Sequence, residues 1–136
     1  MLNALGERFS PRAMSAIIYA NVNQDRFSTQ IGRDEYHFDN NAFEKSYAYI
    51  EEQRTLTISS LHKNDALSAW SAFGRLTHTL QDFYAHSNYI TLWLARFDKQ
   101  TPPASSEVDP VDPTLIQHPD LHSGKVYLPF EILYFI

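Results

Sequence analysis

Residues 65–89, DALSAWSAFGRLTHTLQDFYAHSNY, hold no proline and one glycine, and this run constrains the chain more than any other feature. Ala69, Phe73, Leu76, Leu80 and Phe83 recur three to four residues apart, the period of an α-helix with one apolar face. Asn64 or Asp65 starts it, and Ile90, Leu92, Trp93, Leu94 and Phe97 continue it past a bend near Ser87 and Asn88. A helix of this length buries its stripe only against other elements, so the spacing predicts an all-α helical bundle built around it.

The flanking segments supply those partners. Ser10 followed by Pro11 is an N-cap and first-turn signal, and it opens a helix running to about Phe27, with Gly32 interrupting beyond. Asp39, Asn40 and Asn41 are candidate caps for a second helix carrying Phe43, Tyr47 and Ile50, with a solvated end at Glu51, Glu52 and Arg54. Between residues 100 and 124, Pro102, Pro103, Pro110, Pro113 and Pro119 break any long helix and predict an irregular segment. The expected organisation is a helical metal-binding domain over 1–98. Residues 99–136 then form a Pro-rich loop and an apolar end, part of the same domain or truncated.

The 136 residues suffice for one domain with a core. A net charge of −5 excludes general nucleic-acid binding, which needs a basic surface. With no cysteine there is neither a disulfide nor a thiolate zinc site, so a transition metal would be held by His, Asp, Glu or backbone oxygen. Met1 to Phe9 carry Glu7 and Arg8 and do not read as a signal peptide, which makes the cytoplasm the default compartment unless the chain is a piece of a secreted protein. The nearly all-apolar stretch Val126 to Ile136 suggests a longer protein or packing on a partner, a second copy included.

His78, Asp82 and His86 stand at i, i+4 and i+8, drifting only about 80° around a helix, so all three project from one side. That side lies roughly opposite the stripe of Leu76, Leu80 and Phe83. Two readings stand: a solvated polar face, or a metal site completed by segments that cover it. Taken alone, His37 reads as a capping or packing histidine, Asp39 as an N-cap, and Asp25 as a solvated side chain. Among His62, His118 and His122, the last is the better ligand candidate. Tyr36, Phe38, Phe83, Tyr84 and Tyr89 surround these positions as core rings or the lining of a cleft. Asn88 reads as a helix-terminal hydrogen-bonding residue.

The run GRLTHTLQDFYAHSNY resembles the signature of the Het-C proteins, and YHFDNNAFEKS resembles that family's upstream block. FSPRAMSAIIYANVNQD fits more loosely. That group is similar in turn to zinc-dependent phospholipases C and single-strand nucleases. The resemblance implies the all-helical phospholipase C fold and a zinc site drawing on Asp25, His37, His78, Asp82 and His86. It implies phosphodiester hydrolysis, with phospholipid at a membrane surface the favoured substrate. Asp82 would bind or bridge metal, and Asp39 would be a ligand or the base that positions water. A third ion would need a further His and Glu, for which His122 and Glu131 are the loose candidates, so one or two zinc ions are expected. The rival reading is a non-catalytic interaction or membrane-acting module with a structural metal or none.

Overall fold

The computed structural model describes residues 8–30, 32–96 and 111–124. Helix α1 spans Pro11–Val22, and the Ser10 hydroxyl accepts from the Ala13 N–H, as the Ser-Pro signal predicts. A 3₁₀ turn, Asn23–Asp25, and two single-turn helices, α2 (Phe27–Gln30) and α3 (Asp34–His37), replace the single helix expected to run to Phe27. A second 3₁₀ turn, Asp39–Asn41, leads into α4 (Phe43–His62). The long helix is α5 (Ala66–His86), capped by the Asp65 carboxylate, which accepts from the Ser68 N–H. The bend expected at Ser87 and Asn88 separates it from α6 (Tyr89–Ala95). The chain is thus all-helical, with no strand and no helix long and apolar enough to cross a membrane among the described residues.

Helix α5 lies between α1 on one side and α4 on the other. The approach of α1 depends on Gly74: a Cβ there would stand 2.8 Å from the Ala20 Cβ and closer still to the Ile17 carbonyl oxygen. Ala13, Met14 and Ile17 of α1 and Ala69 and Ala72 of α5 are all buried. Small side chains let two helix backbones approach closely, and no larger residue fits at position 74.

The burial of α5 follows its apolar stripe only in part. Ala69 and Phe83 are buried, Phe73 and Leu76 are half-buried and Leu80 is exposed, while Gly74, His78 and Thr79 are buried as well. Helices packed on both flanks of α5 cover the polar side as well, and a network of side-chain hydrogen bonds makes this burial tolerable. Asn21 donates to Thr77 Oγ1 at 3.2 Å and to Gln81 Oε1 at 3.1 Å. Gln24, itself buried, donates to Thr79 Oγ1 at 3.0 Å and accepts from the Tyr49 hydroxyl at 2.9 Å.

The aromatic residues are mainly core. Phe38, Phe83, Tyr89 and Leu115 form a buried cluster, with Phe43 and Tyr47 packed against it. Part of the region expected to be irregular takes up ordered structure: Pro113–Ile116 form a short helix, α7, capped by Asp112. Residues 111–124 then run back along the end of α5 as a strap. Its Gly124 N–H donates to the His86 carbonyl at 2.9 Å, and its Gly124 carbonyl accepts from the Asn40 N–H at 2.7 Å. The apolar stretch Val126 to Ile136 lies outside the described residues, as does Glu131.

Candidate metal centre

Four side chains from three parts of the chain converge beside α5. His78 and Asp82 come from α5 itself, one turn apart. His37 is the last residue of α3, and Asp25 ends the 3₁₀ turn after α1. His37 Nδ1 lies 2.8 Å from Asp82 Oδ2, His78 Nε2 lies 2.9 Å from the same oxygen, and the two nitrogens are 3.2 Å apart. Asp25 Oδ1 stands 3.3 Å from His78 Nε2. One donor atom from each of the four lies within 4.8 Å of every other.

Both imidazoles are buried, and their nearest nitrogens face each other across one carboxylate oxygen. Both nitrogens can donate to that oxygen, and a cation seated among the three atoms would take the place of those protons. His37 Nε2, on the far side of its ring, is buried with no hydrogen-bond partner. Burial opposes the charged form of both His37 and Asp82, yet the bond between them prevails, aided by the carboxylates around His37 and by the other histidines around Asp82. The His37 pKa is raised above its ordinary value, and the Asp82 carboxyl is held below the usual range by its bonds to His37 and His78.

His86 is not in this group. Its Nδ1 donates to Asp39 Oδ1 at 2.9 Å, and that bond raises its pKa despite partial burial. The His86 and His37 rings lie near parallel, with centroids 6.5 Å apart. Asp39 is therefore not the cap of α4, whose N-cap Ala42 makes no side-chain bond. The loop delivers His37 and Asp39 to α5 through left-handed backbone at Phe38, Asn40 and Asn41, with φ of 55°, 53° and 59°. Asparagine tolerates that region. A non-glycine residue such as phenylalanine adopts it at a cost of about 1–3 kcal/mol, offset here by full burial of the Phe38 ring.

The strap holds this loop in place. Asn41 N–H donates to Ser123 Oγ at 2.9 Å, and Ser123 N–H donates to Asn41 Oδ1 at 2.7 Å. Asn88 accepts from His122 N–H at 2.9 Å through Oδ1, and its amide donates to the Asp120 carbonyl, which gives the residue a larger role than finishing a helix. His122 itself is exposed, with Nδ1 against the Asp120 carbonyl, and belongs to no metal-holding group among the described residues. Sequence reasoning missed Gln24, Thr79 and Ser123. Polar residues of these types are common on surfaces, and only the packing of α1 and the strap makes them interior.

An all-helical domain, with a buried histidine–aspartate group held between its longest helix and two loops, is the class that fold and site define. Residues 3–110 match the family model of the VWA7 N-terminal domain, and the chain belongs to that family. This match overturns the resemblance to Het-C proteins and phospholipases C. The motifs behind that resemblance are short and consist largely of the residues that bring His37, His78 and Asp82 together. They report a local cluster, whereas the family match spans most of the chain. No curated protein and no solved structure matches the chain.

Proposed function

We propose that this domain holds one divalent transition-metal ion, zinc by its donor set, through His37, His78, Asp82 and Asp25, and that the centre serves hydrolysis. The observation that carries this is the triangle of donor atoms with edges of 2.8, 2.9 and 3.2 Å and a fourth donor 3.3 Å away. Four donors at about 2.0–2.2 Å from a tetrahedral ion stand about 3.3–3.6 Å apart, so small outward movements convert one arrangement into the other. Two imidazoles and two carboxylates, without sulfur, suit zinc.

The hydrolytic part rests on access. His37 and His78 close the protein side, while the Asp25 side chain is 55 % exposed and leaves the centre open to water. A zinc ion held by His37, His78 and Asp82, with the exposed Asp25 yielding the fourth position to water, would lower the pKa of that water toward neutrality. Asp82 places its oxygen on both imidazoles and fixes their orientation. His86, oriented by Asp39, stands close enough to relay a proton through water. Phosphodiesters, with phospholipids among them, are the substrate class to test first.

The test is metal analysis of the purified protein, melting with and without chelator, and hydrolysis of a generic phosphodiester and of phosphatidylcholine vesicles. The proposal expects one zinc per chain, a lower melting temperature after chelation, and zinc-dependent turnover. Stoichiometric zinc without turnover would make the centre structural, and no zinc would overturn the proposal.

A further inference from the structure

A cavity of about 720 Å³ opens beside the four-residue centre and contains none of its members. It lies between the end of α1, the segment around Arg33 and Tyr36, α4 and α5. Its size falls within the range of small-molecule sites, about 300–1,000 Å³. Its walls are built from fixed polar groups. Buried Gln53 accepts from Arg75 Nε at 2.8 Å, and buried Gln24 accepts from the Tyr49 hydroxyl. Burial pushes that hydroxyl up to about 12 against the pull of Arg75, so Tyr49 stays neutral and does not compensate the guanidinium.

The charges around the cavity are unbalanced. Arg33 is paired with Glu35 at 3.5 Å. Arg75 and Lys45 have no ion-pair partner among the described residues, and Glu52 alone stands against the two of them. A guanidinium held in place by a neutral amide keeps its charge free for a ligand. On the same wall Asn23 Oδ1 is buried without a hydrogen-bond partner and requires a donor.

We infer that this cavity binds a small organic phosphate bearing free hydroxyls, with the phosphate on Arg75 and Lys45 and a hydroxyl donating to Asn23 Oδ1. This inference does not depend on the metal centre. The probe is glycerol 3-phosphate, titrated by calorimetry and by backbone amide shifts into the full chain, with and without chelator, beside inorganic phosphate and glycerol as separate arms. Saturable binding that survives chelation, shifts the amides of Asn23, Gln24 and Gln53, and exceeds that of either fragment is the expected result. Arg75→Gln should weaken it by about tenfold or more, and Lys45→Gln by less. If Arg75→Gln fails to fold, the exposed Lys45→Gln variant decides. Absence of saturable binding, glycerol binding as tightly as its phosphate, or unchanged affinity in the deciding variant would overturn the inference.

Discussion

His78 and His86 stand two turns apart on one helix, each bonded to an aspartate, yet their surroundings diverge. The His78 side chain is 5 % exposed, Asp82 13 % and His86 39 %. A residue step of four on an α-helix overshoots one turn by about 40°, so a trio spaced this way rotates steadily out of the packed groove. The inner pair meets His37 at 2.8 and 3.2 Å, and His78 meets Asp25 at 3.3 Å. The outer histidine bonds to Asp39, on a loop braced by the strap, and its ring lies near parallel to that of His37. The comparison teaches that equal spacing does not give equal surroundings: the enclosed positions lie where α3 and the turn after α1 close on α5, and the third position lies at the rim.

Asp82→Asn should separate the two regions most strongly. It keeps the shape but removes the charge shared by two imidazoles, so zinc affinity should fall by at least about 100-fold and turnover should vanish, while helical content stays close to that of the parent. Zinc content and circular dichroism of the purified variant check this; a full zinc complement in it would erase the distinction between inner and outer groups. His86→Ala should do the reverse. One zinc per chain remains, and turnover falls by about 10²–10⁴-fold if His86 handles the proton. Loss of zinc in that variant would move His86 into the ligand set, as the sequence first suggested.

Gly74→Ala probes the framework under the inner group. The added methyl meets the backbone of α1, and a loss of about 1–3 kcal/mol is expected in chemical denaturation, with weaker zinc binding because α1 leads into Asp25. Ser123→Ala probes the outer group. It removes one bond to the loop and should cost about 1 kcal/mol, lowering turnover while leaving zinc content unchanged.

The smallest effect is on pH dependence of the metal-free protein. His37 and His86 have raised pKa values, so their contribution is complete below about 6.5 and is lost as pH rises through the folded values. Asp82 is depressed, so its contribution is complete above about 4 and is lost as pH falls through its folded value. Melting of chelated protein should therefore peak between about pH 4 and 6.5. Zinc binds deprotonated imidazole, so the gain in melting temperature on adding zinc should grow as pH rises across the same interval. A gain that is flat with pH would point to an ion held by carboxylates alone.

Local signals carried much of the fold. Ser10, Pro11 and Asp65 act on their own first turns, and the break at Ser87 and Asn88 follows the end of the uninterrupted helical pattern. The extent of α4 was read short, because the charged residues at 51–54 mark its solvent face while the helix runs on to His62. The convergence of His78 and Asp82 was legible from their spacing. The burial of the polar side of α5 was not, because it depends on where α1 settles, and α1 settles against Gly74. His37 and Asp25 carry no spacing signal of their own and are implied only by a family likeness that the family match replaces, although the structure brings His37 to Asp82 and both to His78. The left-handed run at Phe38, Asn40 and Asn41 has no periodic signature, so the role of Asp39 toward His86 was hidden behind that of a cap.

The buried amide of Gln24 has a consequence for how α5 finds its place. His78, Asp82 and His86 repeat at nearly one-turn intervals, so a helix slipped by four residues would still offer polar groups to His37. Gln24 removes that degeneracy. Its partners are Thr79 Oγ1 and the Arg75 carbonyl, and a four-residue slip in one direction sets Phe83 against it, a side chain that accepts nothing. The same slip moves the notch at Gly74 away from Ile17 and brings His78 there, where no side chain fits. A residue outside the histidine–aspartate group thus acts as the key that lets α5 dock in one register.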